Sequence, residues 1–291
     1  RDFDPDSFDF IIVDEVHRAG AESYLRTLDH FQPAFLLGLT ATPERTDGFN
    51  VFELFDYNVA YEIRLQKALE SKMLAPFSYY GVTDYIDDQG RTIEETSTLS
   101  KLISTERVKH LLDMLTTYGR ADKVTGLMFC SSRQEATELS ALLNGESVFG
   151  HCLRTKALTG EDSPQTRNAV IKELEDGELD YVLTVDIFNE GIDIPSVNQV
   201  VMLRNTESAI IFTQQLGRGL RKAAGKDHLR VIDFIGNYKN NFLVPIALFG
   251  DSSLNKDIIR KRLRDADESG SIAGISSISF DKISDCLLYT S

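Results

Sequence analysis

The chain has 291 residues, 42% of them hydrophobic, and a formal net charge of −14. That length accommodates two domains of ordinary size, and so acidic a chain does not hold nucleic acid through its bulk charge; any such contact has to use local basic or backbone-amide surfaces. The three cysteines, Cys130, Cys152 and Cys286, have no CxxC spacing, which argues against a disulfide framework or a zinc site and fits a reducing cytoplasm; no apolar run is long enough to span a bilayer, and no N-terminal stretch pairs a basic flank with an apolar one.

In chain order, residues 9–13 are rich in Ile and Val with little alternation, as in a strand covered on both faces. "AESYLRTLDHF" predicts a helix and "AFLLGLTAT" a second buried strand. "VAYEIRLQKALESKML" predicts a strand leading into a helix. Pro76, Gly81 and the polar "TDYIDDQGRTIEE" mark a linker zone. "STERVKHLLDMLTTYG" is an amphipathic helix with Gly119 at its end. A second series follows: strand "VTGLMFCSS", helix "RQEATELSALLN", strand "CLRTKALTG", and helix "SPQTRNAVIKELEDG" with Ser163 as cap and Pro164 in its first turn. Strands "LDYVLTVD" and "VNQVVML", helix "AIIFTQQLGRGLRKA" and strand "LRVIDFIG" complete it. Alternation of strand and helix predicts an α/β architecture with parallel sheets, in two units joined near residues 72–105.

The first strand ends in Asp14-Glu15, with His17 close behind. A carboxylate at the C-terminal end of a buried parallel strand stands at the sheet edge where open α/β folds bind ligands. Asp14 could hold Mg²⁺ there, an ion that prefers carboxylates and phosphate oxygens. Glu15 could orient or deprotonate a water for attack on a phosphate. An isolated Asp-Glu pair reads more simply as a strand-end turn with exposed acids.

Further along, helical spacing puts Gln214, Arg218 and Arg221 on one stripe. Guanidinium groups suit phosphate recognition because their planar fork offers two donors. Gly217 and Gly219 weaken that helix unless its backbone must approach something closely. Ser131, Ser132, Thr159 and Gly160 fall at strand C-termini, where small hydroxyls and backbone amides can hold sugar-phosphate without reading bases. Arg133 adds a local cation. The run "RKRLR" at 260–264 reads as a solvated helix face.

Taken together, these segments resemble the second superfamily of helicases and nucleic-acid translocases. "DEVH" (14–17) is similar to motif II, "LTATP" (39–43) to motif III, and "FCSS" (129–132) to motif IV. "ALTG" (157–160) resembles the following backbone-contacting motif, "TVDIFNEGIDIPSV" (184–197) motif V, and "QQLGRGLR" (214–221) motif VI. The six stand in family order across about 210 residues. The resemblance implies two RecA-like domains that bind ATP and Mg²⁺ in the cleft between them. It implies that Arg218 and Arg221 are arginine fingers on the γ-phosphate, that Gln214 couples to His17, and that Asp193, beside Gly191, contacts the ribose or positions a finger. Thr40 and Thr42 would bridge the nucleotide and nucleic-acid sites. Val185 departs from the pattern, since many relatives carry threonine there, so no hydroxyl contact is assigned to it.

A narrower resemblance, carried by "GLTATPERTDG", "APFSYYGV", "DIFNEGIDIPS" and "IDFIGNYK" near "VPIALFG", is to a bacterial helicase subgroup related to restriction-enzyme motor subunits. In that subgroup a C-terminal domain of unknown function follows the motor, and a phospholipase-D-like nuclease domain often precedes it. The implied division is residues 1–72 as the C-terminal half of the first domain, 73–105 as linker, 106–250 as the second domain and 251–285 as the start of a C-terminal domain.

No phosphate loop of the form G-x-x-x-x-G-K-[ST] occurs. "GLRKAAGKD" ends in Gly225-Lys226 but lacks the following hydroxyl and a strand–helix setting. The expectation is a fragment whose first domain is truncated at its N-terminal half, inactive alone, with exposed strand edges. The last six residues, "CLLYTS", read as translated TGT CTC TTA TAC ACA TCT, the end sequence of a transposon used to fragment DNA. Residues 286–291 are therefore expected to be adapter, with Cys286 not native. The expected function is an ATP-dependent DNA helicase or translocase motor. The rivals are a non-catalytic nucleic-acid-binding module with a degenerate motor, and an RNA helicase, since backbone contacts say little about the 2′-hydroxyl.

Overall fold

The computed structural model describes residues 3–18, 22–40, 50–63, 65–86, 98–185, 194–204, 217, 219–235 and 277–280. The chain divides into two compact units, Arg1–Ile63 and Arg64–Ser291. Among the described residues no helix is long and apolar enough to cross a membrane.

In the first unit, β1 (Phe10–Val13) and β2 (Phe35–Gly38) pair in parallel, Phe10 against Phe35 and Val13 against Gly38, with α1 (Glu22–His30) between them in sequence. Ile11 and Val13 point into a small core with Val16, Val51, Leu36 and Phe55. A Cβ on Gly38 would lie 2.4 Å from the Phe55 ring, so only glycine lets that ring close over β2. The opposite side of β1 is bare: Phe10 is 71% and Ile12 64% exposed. The expectation of a strand covered on both faces is therefore met on one face only. The stretch Val59–Ile63, expected as a strand, forms none, and Val59 and Tyr61 are exposed.

Among the described residues, the second unit is built on seven parallel strands: β3 (Phe77–Thr83), β4 (Gly126–Phe129), β7 (Thr155–Leu158), β8 (Tyr181–Thr184), β9 (Gln199–Met202), β10 (Leu229–Ile235) and β11 (Ser277–Phe280). Their order is β11-β3-β10-β9-β4-β8-β7. A two-strand hairpin, β5 (Ser147–Val148) with β6 (His151–Cys152), stands apart. Of the strand expected over "CLRTKALTG", Cys152 falls in this hairpin and the strand itself is the shorter β7. The segment expected to be linker, 73–105, runs β3 through this sheet, and the sheet's unit begins at residue 64 rather than after a boundary at 72. β4, β8 and β9 are buried at every position, as parallel strands covered on both faces must be. On one face, Phe77, Tyr79, Leu127, Phe129 and Val231 pack with Leu69 of α2 (Leu65–Glu70) and with Val170 and Leu174 of α6 (Pro164–Asp176). On the other, Val82, Met128, Leu183, Val201 and Phe234 pack with Val108, Leu111 and Leu115 of α4 (Thr105–Tyr118) and with Ala136, Leu139 and Leu143 of α5 (Arg133–Leu143). The short α3 (Leu99–Leu102) precedes α4.

One buried carboxyl inside the sheet has a measurable consequence. Tyr79 Oη donates to Asp233 Oδ2 at 2.6 Å across the β3–β10 pair. Burial raises the Asp233 pKa from 3.8 to about 7, against a smaller lowering by the tyrosine hydrogen bond. The folded state therefore holds a proton that the unfolded chain has lost, and the stability this contributes is present below the ordinary carboxylate range and fades as pH rises to about 7. Asp233→Asn, which keeps an acceptor for Tyr79, is expected to flatten that pH dependence and to raise the melting temperature at pH 8. Thermal melts from pH 4 to 8 with unchanged slope would contradict this.

Candidate functional site

In the first unit, the backbone carries the β1–β2 ladder past the strand ends. Leu39 N donates to Val13 O and Val16 N to Leu39 O, both at 2.9 Å, so the 14–17 turn is stitched to residues 39–40. Val16 is 3% exposed and pins the turn from below. Between these anchors the chain turns sharply: Glu15 N donates to Asp14 Oδ1 at 2.9 Å, and Glu15 has φ +50. A left-handed residue other than glycine is uncommon and costs energy, and such strain concentrates where a side chain must be aimed. Asp14 and Glu15 are thereby both left exposed at the strand's C-terminal end. Behind them, the buried His17 has its Nδ1 2.9 Å from Thr40 Oγ1 and 3.3 Å from Glu15 Oε2. A proton on Nδ1 would serve both oxygens, tying the acid to the threonine just past β2. Hard carboxylate oxygens at an open strand end suit Mg²⁺, which is held by one or two carboxylates with phosphate oxygens and waters completing the shell. Among the described residues no group of three or more His, Cys, Asp or Glu could hold a metal by itself.

In the second unit, Ser131, Ser132, Thr159 and Gly160 follow β4 and β7, the strands that flank β8, so their two loops share one edge of the sheet. Side chains bridge the loops, because Arg133 Nη1 contacts Glu161 Oε1. Arg133, Thr137 and Thr159 help line a shallow depression of about 420 Å³. The donors expected to face a ligand are largely satisfied within the protein. Ser131 N donates to Glu135 Oε2 at 2.7 Å, Ser132 Oγ accepts from Glu135 N as the cap of α5, and Thr159 N donates to Asp162 Oδ2 at 2.6 Å. Arg167 Nη2 holds the Gly160 carbonyl at 2.8 Å. Thr159 Oγ1 likewise donates to Asp162 Oδ2 at 3.1 Å and Arg133 Nη1 is taken by Glu161, so a phosphate at this edge would draw on the remaining Arg133 N–H donors or displace these internal partners.

Beneath this edge lies a cluster the sequence reading missed. Arg107 is 4% exposed and spends all five N–H donors. Its Nε and Nη2 meet Asp84 at 3.1 and 3.0 Å, Nη1 meets Glu135 Oε1 at 2.7 Å and Leu102 O at 2.8 Å, and Nη2 reaches Leu203 O at 3.2 Å. Burial works against the guanidinium's charge, but the Asp84 and Glu135 carboxylates more than offset it and hold its pKa above the ordinary arginine value. Asp84 and Leu203 lie just beyond β3 and β9, and Glu135 lies in the first turn of α5, which follows β4, so one side chain ties two strand ends to the helix that follows a third strand. Ser132-x-x-Glu135 is a readable capping-box pattern; the partnership with Arg107 and Asp84 has no local signal.

Of the other expected site residues, Thr42, Gly191, Asp193, Gln214 and Arg218 lie outside the described residues, as do residues 286–291. The expected coupling of His17 to Gln214 is among them, whereas the His17–Thr40 bond is in view. Arg221 is exposed. Gly217 and Gly219 are helical, and a Cβ on Gly219 would come 2.6 Å from Leu229, so its close approach is to β10.

Residues 106–223 match the family described as Helicase conserved C-terminal domain, and residues 1–45 match Type III restriction enzyme, res subunit. The chain is 27% identical over 246 residues to a Saccharomyces cerevisiae protein named as an ATP-dependent helicase, IRC3, covering 80% of this chain and 35% of that one. It is 26% identical over 262 residues to the type I restriction enzyme EcoAI endonuclease subunit of Escherichia coli, covering 79% and 32%. A fragment of an HsdR subunit of a type I restriction enzyme from Vibrio vulnificus superposes with a TM-score of 0.62 at 23% identity, over 96% of this chain and 49% of that one. At that identity the likeness shows the fold, that of RecA-like helicase domains. The chain spans about a third of the length of these two curated relatives.

Glu135→Ala would leave Arg107 with one carboxylate and Ser131 N without its acceptor in a dry site. Breaking a buried ion pair from one side costs about 3–5 kcal/mol. Urea unfolding should show a clear fall in midpoint, and a midpoint equal to wild type would contradict the role given to the cluster.

Proposed function

We propose that this chain, a helicase of the second superfamily related to restriction-enzyme subunits, is the motor region of an ATP-dependent DNA helicase or translocase. The observation that carries the reading is the strained, exposed Asp14-Glu15 pair at a parallel strand end, with Glu15 tied through His17 to Thr40. On this reading the first unit belongs to the ATP-binding domain and the second is the helicase C-terminal domain. A relative named as a type I restriction enzyme subunit, and another named as a DNA 3′-5′ translocase from Sulfurisphaera tokodaii, favour DNA over RNA. A nuclease domain in the same polypeptide and a cytoplasmic location belong to the same proposal.

The chemistry is hydrolysis of ATP to ADP and phosphate. Mg²⁺, held by Asp14, supplies charge neutralisation at the phosphate oxygens when bound. Glu15 orients the attacking water and takes its proton. His17 holds Glu15 in that orientation and passes its position to Thr40, from which the change is felt toward the nucleic-acid contacts. Arg218 and Arg221 stabilise negative charge on the γ-phosphate as it transfers, with Gln214, Gly191 and Asp193 completing the nucleotide contacts. Ser131, Ser132, Arg133, Thr159 and Gly160, with Thr40 and Thr42, hold the sugar-phosphate backbone. Backbone contacts of this kind position without reading sequence, which suits a protein that moves along its track.

In the complete protein, Glu15→Gln is expected to lower ATP turnover by about 100-fold or more while ATP still binds. Phosphate release and nucleotide titration measure the two separately. Turnover near wild type would overturn the assignment of Glu15.

A further inference from the structure

The Gly225-Lys226 pair, which lacks the setting of a phosphate loop, has a different use. Lys226 Nζ donates to the carbonyls of Pro195 at 3.1 Å, Gly219 at 2.5 Å and Arg221 at 2.9 Å. An ammonium has three donors, and three acceptors take them. The turn that allows this is local: Gly225 has φ +77, and Lys226 N donates to Ala223 O at 3.2 Å, folding the side chain back on the preceding segment. Leu220 O, between the two carbonyls, is taken by Ala75 N at 2.7 Å. Successive carbonyls at the end of the "QQLGRGLR" segment, groups that a helix end leaves open, are thus satisfied from outside.

The partners are informative. Gly219 and Arg221 belong to the segment carrying the arginines, and Pro195 to "GIDIPSV", so one side chain clamps two motifs that are far apart in sequence. Around it Ile194, Val197 and Leu220 are buried, at 2%, 0% and 1% exposure. Burial pushes the Lys226 pKa down to about 8, a strain on the charge that a lysine pointing into solvent would not carry.

We propose that Lys226 is a positioning residue that fixes the backbone carrying Arg221 against Pro195, and so sets where the motif's arginines stand during phosphoryl transfer. The proposal rests on the motor reading, because only there do those arginines meet a phosphate. Small misplacements of a catalytic group cost about 100-fold in rate. In the complete protein, Lys226→Met is therefore expected to lower kcat about 10- to 100-fold with little change in KM for ATP. Lys226→Arg, which keeps the charge and donors, should recover most of the loss. Hydrogen exchange at 194–197 and 219–222 should quicken in Lys226→Met and stay near wild type in Lys226→Arg. Assays run well below the melting temperature of each variant separate this from general destabilisation, which the arginine variant would not selectively relieve. Wild-type kcat or wild-type exchange in Lys226→Met overturns the proposal. If the wild-type protein hydrolyses no ATP, the motor reading has failed, and exchange alone then decides whether Lys226 clamps the two segments.

Discussion

A single enclosed guanidinium holds the working edge of the second unit. Arg107 satisfies two carboxylates and two carbonyls from elements that the chain visits far apart. Because it and both its acids are fully desolvated, the cluster has no tolerant alternatives: each donor is matched or a buried charge is stranded. The loop after β4 inherits that rigidity through the Ser131 amide bonded to Glu135. On the proposed reading, small polar groups can mark a backbone track only if their spacing does not wander, and this cluster fixes it from below.

The same logic governs the first unit on a smaller scale. Val16, beneath the turn, and the hydrogen bonds between Val13, Val16 and Leu39 force the backbone through a left-handed residue at Glu15. The cost is local and the return is orientation, since two acids that would otherwise be mobile at a strand end are set side by side with a histidine behind them. It also reconciles the acidity of the chain with a phosphate-bearing ligand. The negative charge is diffuse, whereas the contacts proposed for that ligand are one carboxylate acting through a metal ion, hydroxyls and arginines.

Much of this was legible in the sequence. Apolar runs with little alternation announced β4, β8 and β9, because a parallel strand buried on both faces leaves no room for alternation, whereas β10 carries Arg230 and Asp233 within its run. The acid pair was legible for the same reason, as charge breaking off such a run. What escaped was non-local or conformationally unusual. The β5–β6 hairpin turns on Phe149 and Gly150, both at positive φ, and phenylalanine is not a residue that signals such a turn. The polar surroundings of β3 disguised it as linker, although its own burial ties it to β10. Arg107 looked like one more polar position on an amphipathic helix. Its partners lie 23, 28 and 96 residues away, distances at which no spacing rule operates.

The most direct measurement is phosphate release from Mg²⁺·ATP by the complete protein, alone and with duplex DNA, single-stranded DNA or RNA. A motor whose hydrolysis is coupled to movement on DNA should show a low basal rate that rises when DNA is added and rises less, or not at all, with RNA. A rate indifferent to every nucleic acid would contradict the coupling, and stimulation by RNA alone would contradict the choice of DNA.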